Sequence, residues 1–529
     1  MNRMSVQDAS FLQIESDDQP MHVGGVSIFE GPPPPHAEVL AMIDDKLARV
    51  PRYRQVVRFV PFELARPVWV DDSHFNLGYH VRRTALPQPG ADEELRTLVG
   101  RVMSQNLDRG KPLWEMWVVE GLGEGRWALL SKVHHAMVDG IASTDLMTVL
   151  LDQERNPERP PAPRWTPEGT PSSARLLADA VIERAANPLV AAEQLVATLR
   201  APRQLAAVLA DTSRGLVGFA SAARPSESSS LNGPLGPHRR WGWARARLAD
   251  VRLVRQAFGG TVNDIVLAVI TNGFRELFES RGEPAGRVLR TLVPVSVRPP
   301  GERGTYNNRV SAMFAELPVG IDDPVARLES IRTQMAGLKE SKQAVAGETL
   351  TSLSGFAPPM LLALGARLAS KLPQRTLNTG TTNVPGPQFP LYLAGRRMLE
   401  SFPYIPLFAQ VRVAVAIFSY DGELSFGVSG DYDTAPDIDV LCEGIERGVS
   451  QLVTLTGKAT ETATAAPPAA RPATPTKPTS TEAPSLMPFA TTRNGRISYT
   501  IVAPTNPAVP LSRDCDTLLV RRHTGFAAA

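Results

Sequence analysis

The chain of 529 residues has little cysteine: two residues, Cys442 and Cys515, far apart and without partners at metal-ligand spacing. That argues against a disulfide framework and a structural zinc site, and it fits a reducing cytoplasm. Charge of one sign is lacking too. Lys and Arg number 56 against 54 Asp and Glu, a formal net charge of +2. Such a balance supplies no general pull toward nucleic acid, and no nucleic-acid partner is expected. No run approaches the ~18–20 consecutive apolar residues of a spanning helix. The opening "MNRMSVQDASFLQIESDDQPMH" has no uninterrupted apolar stretch, so no secretory signal is expected. The most apolar segment, "GFAPPMLLALGARLASKLP" from Gly355 to Pro373, contains prolines and Arg367, which suits either a buried helix or one lying on a membrane surface.

What is present is an ordinary globular composition, 43% hydrophobic and 21% charged. Four zones follow one another. Residues 1–155 alternate strand-like runs ("VGGVSIFEG", "RPVWVDD", "LWEMWVVEG", "RWALLSKVHH") with helix-like stretches. One of these, "HAEVLAMIDDKLARV", sets Val39, Met42, Ile43 and Leu47 at helical spacing. Residues 156–235 are a proline-rich linker and then an Ala/Leu-rich tract, which together read as a helical bridge. From 236 to 457 the strand–helix mixture returns. "DIVLAVITNGFRELFESRG" predicts a helix with Gly282 beyond its end, and "SYDGELSF" predicts a hairpin turning at Asp421-Gly422. Residues 458–529 are rich in Ala, Pro and Thr and predict a disordered tail. Alternation of strands and helices in two blocks indicates an α/β class.

Chemistry concentrates in "SKVHHAMVDGIAS", residues 131–143. Adjacent side chains point to opposite faces of a strand, so His134 and His135 are poorly arranged to share a metal ion, and no metal is expected. Two readings remain. Either each histidine is a structural group bonded to backbone, or His135 serves as a general base. In the second reading Asp139 orients the loop and Gly140 permits its turn. Asn263 and Asp264 stand where a helix begins, where both residue types are common caps. Pro112, Leu113 and Trp114 suit core packing, and Asn383–Pro387 ("NVPGP") a rigid turn.

The motif HHxxxDG is the signature of the superfamily that includes chloramphenicol acetyltransferase and the condensation domains of peptide synthetases. Its surroundings resemble the bacterial wax ester synthase/diacylglycerol acyltransferases. The resemblance runs through "LQIESDDQPMHVGGVSIFEG", "FNLGYHVRRTALP", "LDRGKPLWEMWVVEGL", "TVNDIVLAVITNGFR", "LVPVSVR", "NNRVSAMFAELPV" and "NTGTTNVPGPQFPLYLAGRRM", spanning residues 4 to about 450. One departure stands out: "AQVRVAVAIF" replaces the Gly-Gln-Ala-Leu-Asn usual before "SYDG".

The resemblance implies two chloramphenicol acetyltransferase-like α/β sandwich domains joined by the bridge. It implies acyl-CoA-dependent O-acylation of diacylglycerol to triacylglycerol, with long-chain alcohols as alternative acceptors giving wax esters; a non-catalytic lipid-binding relative is the competing reading. His135 would take the hydroxyl proton, His134, Asp139 and Gly140 would hold the loop, and Asn263 would donate to the oxyanion. Asp264 would support the helix start and Arg298 would pair with Asp139. Pro112, Leu113, Trp114, Asn383 and Pro385 would line a substrate tunnel. Acyl-CoA would be a co-substrate, with no permanently bound cofactor, and the enzyme would work in the cytoplasm at a membrane or lipid-droplet surface.

Overall fold

The computed structural model describes residues 2–137, 147, 149–158, 165–182, 229–284, 288–296, 310–340, 376–465, 489–493 and 496–500. Each strand-like run of the N-terminal block forms a strand. The order begins β1 (Asn2–Arg3), α1 (Val6–Ile14), β2 (His22–Phe29), α2 (His36–Leu47), β3 (Gln55–Arg58) and β4 (Val68–Asp71). It continues with α3 (Leu77–His80), β5 (Val81–Ala85), α4 (Asp92–Met103), β6 (Trp114–Glu120) and β7 (Trp127–His134). Residues 173–182 are helical, and the rest of the expected helical bridge lies largely outside the described residues, as does the apolar segment 355–373.

The C-terminal block begins β8 (Arg239–Arg247), α5 (Leu248–Phe258), α6 (Val262–Ser280), β9 (Val288–Ser296), β10 (Val310–Pro318) and α7 (Pro324–Glu340). Then come β11 (Thr379–Pro385), β12 (Tyr392–Leu393), β13 (Arg396–Tyr404), β14 (Val413–Tyr420), β15 (Glu423–Asp431) and α8 (Ile438–Ala465). The helical spacing in α2 buries the four residues predicted: Val39, Met42, Ile43 and Leu47. β14 is buried at every position, as a central strand with an unbroken apolar run should be. Its turn into β15 has Asp421 at φ 44 and Gly422 at φ 89, the left-handed pair that a two-residue hairpin requires.

Two six-stranded sheets result, ordered β12-β13-β2-β7-β6-β5 and β10-β9-β11-β14-β15-β8. A small third sheet is β1-β4-β3. The first order crosses the expected boundary between the two blocks. β12 and β13 come from the 236–457 block, yet β13 pairs antiparallel with β2, Tyr404 opposite Gly24 and Phe402 opposite Val26. The two sheet-rich blocks thus exchange a strand, and residues 1–465 cluster as one compact unit. Local patterning specifies that a segment is a strand but not which sheet receives it. The end of the block also moves: α8 continues to Ala465, eight residues past the expected limit of 457. Within the unit from residue 466 onward, where disorder was expected, Phe489–Arg493 and Arg496–Thr500 pair as an antiparallel hairpin.

The two large sheets touch where β13 crosses β15. Trp241 Nε1 donates to Pro403 O at 3.2 Å, and a Cβ on Gly427 would sit 1.7 Å from the same carbonyl oxygen. Gly427→Ala must therefore force backbone apart, costing about 1–3 kcal/mol. The urea midpoint should fall for this variant and stay level or rise for Gly457→Ala, whose site in α8 is open. An unchanged midpoint in Gly427→Ala contradicts the crossing.

Candidate active site

β7 delivers the histidine pair. It lies between β2 and β6, with His134 directly opposite His22. One further bond on each side continues the pairing: His134 N–H donates to Leu113 O, and His135 N–H to Met21 O, both at 2.9 Å. The backbone then turns through a short 3-10 segment, His135–Met137. Alternation along the strand sends the two imidazoles to different environments. His134 is fully buried, whereas His135 is half-buried, with its ring stacked on Phe11 of α1 at 4.0 Å between centroids and 20° between planes.

Under His134 lies a carboxylate that the motif does not contain. Glu15, at the C-cap of α1, places Oε1 3.3 Å from His134 Nε2 and 3.6 Å from His22 Nε2. The His134 contact is a less aligned approach than a full hydrogen bond. Glu15 Oε1 also accepts from Met21 N–H at 3.2 Å, while Oε2 accepts from Arg109 Nη2 at 2.7 Å and Nε at 3.1 Å. Burial by itself raises the Glu15 pKa. The contact with His134, the Arg109 fork and the nearby His22 outweigh it and hold the group at about 2. The imidazole tautomer follows from the other nitrogen. Ala136 N–H donates to His134 Nδ1 at 3.0 Å, so the ring proton sits on Nε2, facing the carboxylate.

His22 receives Leu107 N–H on Nε2 at 3.3 Å, and burial drives its pKa well below 6.5. Lys132, on the same face of β7 as His134, gives its ammonium to Val102 O at 2.9 Å and to Gln105 O, at the end of α4. Burial lowers its pKa to about 8. Sequence reasoning passed over Glu15, His22 and Arg109. A usable signal was present: a histidine opening the apolar strand "HVGGVSIF" needs a buried polar partner.

The other predicted residues divide into three sets. Leu113 is fully buried and packs in one cluster with Ala136, Leu12, Val57 and Trp69, directly under the histidine turn. Pro112 is buried beside it. Trp114 is a core residue: fully buried, its Nε1 donates to Tyr53 O at 2.7 Å and its ring stacks on His80 at 4.6 Å.

At the opposite block, Asn383 Nδ2 lies 3.5 Å from Asn263 Oδ1, bringing β11 to the start of α6. Asn263 is not the helix cap. Thr261 is, with Thr261 N–H donating to Asp264 Oδ2 at 2.8 Å and Asp264 N–H to Thr261 Oγ1 at 3.3 Å, so Asp264 supports the helix start as expected. Pro385 ends β11 and is exposed. Val384, next to Asn383, and Met137, two residues after His135, pack against the same apolar cluster, which also holds Phe418 and Tyr420. Asp139, Gly140 and Arg298 lie outside the described residues.

The departing segment is structural. Ala409 and Gln410 turn with φ 49 and 61, Gln410 O accepts from Gly233 N–H at 3.0 Å, and Arg412 N–H donates to Leu231 O at 2.8 Å. A surface hollow of about 850 Å³ beside Glu30, Arg155 and Arg396 contains none of the predicted residues.

With that geometry in place, comparison with known proteins is decisive. The pattern of the wax ester synthase/diacylglycerol acyltransferase catalytic domain matches residues 4–266, and that of the family's C-terminal domain matches residues 306–452. A probable diacylglycerol O-acyltransferase of Mycobacterium tuberculosis is 38% identical over 458 residues, covering 86% of this chain and 96% of its own. The chain belongs to the wax ester synthase/diacylglycerol acyltransferase family. It is an acyltransferase. A putative diacylglycerol O-acyltransferase of the same organism is 31% identical over 463 residues, covering 86% of this chain and 92% of its own. The solved wax ester synthase/diacylglycerol acyltransferase of Marinobacter aquaeolei VT8 superposes with a TM-score of 0.60 at 26% identity, over 86% of this chain and all of that one. The first condensation domain of the calcium-dependent antibiotic synthetase shares the fold, with a TM-score of 0.55 at 17% identity over 87% and 96% of the two chains.

In this family member the buried carboxylate yields two predictions. Glu15→Gln removes the charge facing His134, so kcat should fall on the order of tenfold to a hundredfold through misplacement of the histidine loop. KM should change little; an unchanged kcat contradicts the positioning role. The second concerns acid. Below pH 6.5 the unfolded chain binds a proton on His22 that the folded site refuses, so stability falls as pH drops through 6.5. Between 4.5 and about 2 the same holds for Glu15, and the fall continues. Thermal melts should show both limbs, and His22→Asn should flatten the upper one; a Tm level down to about pH 5 contradicts a neutral buried His22.

Proposed function

We propose that this acyltransferase moves the acyl group of a long-chain acyl-CoA onto the free hydroxyl of diacylglycerol, giving triacylglycerol, and that long-chain alcohols serve as alternative acceptors. The names of its relatives support the acceptor. The observation that carries the chemistry is the inequality of the histidine pair: His134 is buried over Glu15, and His135 is held at the strand end on the more open face.

His135 takes the hydroxyl proton as the oxygen attacks the thioester carbonyl. Charge then develops on the carbonyl oxygen and needs a donor. Asn263 suits that task, because Asn383 engages its side-chain oxygen and leaves its NH₂ group to donate. Collapse of the tetrahedral species expels the coenzyme A thiolate, and the imidazolium returns the proton to it. No covalent acyl-enzyme is needed, which agrees with the lack of a GxSxG nucleophile elbow in the sequence. Acyl-CoA is consumed as a co-substrate, and no resident cofactor enters the scheme. Because the acceptor is insoluble in water, the reaction belongs at the cytoplasmic surface of a membrane or lipid droplet.

Among the described residues no single helix is long and apolar enough to cross a membrane. The bent α5–α6 pair meets the length and composition test, but α6 is buried from Asp264 through Phe274 in the core of the C-terminal sheet.

The test uses labelled palmitoyl-CoA with diacylglycerol or hexadecanol and resolves the lipids formed. Wild type should make labelled triacylglycerol, and His135→Ala should lose on the order of 10²–10⁴-fold in rate. Equal product from both proteins contradicts His135 as the base. Ester formation with hexadecanol alone contradicts the preferred acceptor.

A further inference from the structure

The small β1-β4-β3 sheet carries a loop between β3 and β4, "RFVPFELARP", residues 58–67, that takes no part in the chemistry. Phe62 is 81% exposed, Phe59 48% and Leu64 37%, three large apolar side chains displayed within six residues. Val60 between them is buried and anchors the loop. Phe62 has φ 60 and Glu63 φ 51, so the chain holds a bulky aromatic outward in a left-handed conformation that side chains rarely adopt. Isolated exposed hydrophobics are ordinary, but a strained aromatic tip with two apolar neighbours marks an interaction site.

Charge says what kind of surface it meets. Residues 49–67 contain five arginines, Arg49, Arg52, Arg54, Arg58 and Arg66, against one acid, Glu63, in a chain that is otherwise nearly balanced. Arg54 is buried against Asp44 at 2.7 Å, but Arg49 and Arg58 are exposed. An apolar tip beside the exposed Arg58, in an arginine-rich stretch, matches the acyl boundary and the phosphates of an anionic lipid surface. Position matters too. Val57 of β3 and Trp69 of β4 pack in the same cluster as Leu113 and Ala136, so the strands bearing the loop are seated against the histidine turn.

We propose that the 59–64 loop docks this enzyme on an anionic lipid surface, Phe59, Phe62 and Leu64 entering the headgroup–acyl boundary while Arg49 and Arg58 meet lipid phosphates. In purpose, this deepens and rests on the proposed transfer to a water-insoluble acceptor. The loop would bring the turn bearing His135 to the surface in which that acceptor is dissolved.

The test is co-sedimentation of the full-length protein with vesicles of phosphatidylcholine containing a minority of phosphatidylglycerol. Wild type should pellet with them, and the double variant Phe59→Ser/Phe62→Ser should partition about tenfold less or lower. Arg58→Glu should weaken binding to these vesicles and not to pure phosphatidylcholine. In a Cys515→Ser background, Phe62→Cys labelled with an environment-sensitive dye should shift to the blue on vesicle addition, Cys442 being buried. Equal partition of wild type and the serine variant overturns the proposal, as does a wild type left in the supernatant. A dye shift that depends on protein concentration and not on lipid makes the loop a self-association surface and also overturns it. Transfer from a short-chain acyl-CoA to a soluble short alcohol without vesicles should be equal in wild type and the serine variant. Its absence in every protein counts against the proposed reaction, while the vesicle partition still decides the loop.

Discussion

A carboxylate buried at the end of α1 organises the catalytic half of this molecule. Glu15 meets His134 from β7, His22 from the start of β2 and Arg109 from the segment before β6, so three separate stretches converge on one charge. A carboxylate so enclosed costs free energy unless cations and donors surround it, and here the Arg109 fork, the Met21 amide and the His134 ring do so. The same contacts determine which way the His134–His135 peptide faces. His134 is pinned by its ring and its backbone, and His135 inherits its direction from that constraint. Phe11, on the helix that ends in Glu15, then closes one side of the His135 ring. Helix α1 is therefore both anchor and wall.

The second constraint is topological. β13 leaves the C-terminal block to pair with β2, the strand that also pairs with β7. The histidine strand is thus one step from an element donated by the other half of the chain. The apolar cluster that receives Met137 beyond His135 also receives Val384 beside Asn383. Two halves joined only by a bridge could drift relative to each other. Two halves that exchange a strand hold the histidine pair on one sheet and the Asn263–Asn383 pair on the other within one core, which is the preorganisation that the proposed acyl transfer with developing negative charge requires.

Legibility in the sequence follows the range of the interaction. Strands, α2, the Asp421-Gly422 hairpin and the helix from Val262 were readable because alternation, helical spacing and turn chemistry act over a few residues. The inequality of the histidines was readable for the same reason, since period two forces neighbours onto opposite faces. The Thr261–Asp264 cap was within reach but was read onto Asn263 and Asp264, when the cap itself is Thr261 and Asp264 is its reciprocal partner. Glu15 was not readable as a site residue, because its meaning depends on Arg109 and His134, roughly a hundred residues distant. Nor was the receiving sheet of β13, for which no local pattern exists. Trp114, plausible as a tunnel residue from its motif, is held by Tyr53 and His80 in the core, a fact that only packing reveals.

The central claim is that Glu15 and the Ala136 amide hold His134 in one tautomer and thereby aim His135. The most direct measurement is the ¹⁵N chemical shifts of the His134 ring near pH 8, assigned by comparison with a His134→Gln variant. The account predicts a protonated Nε2 and an unprotonated Nδ1 in the wild type, with that preference weakened in Glu15→Gln. A proton on Nδ1, or a ring indifferent to the loss of the Glu15 charge, would contradict it.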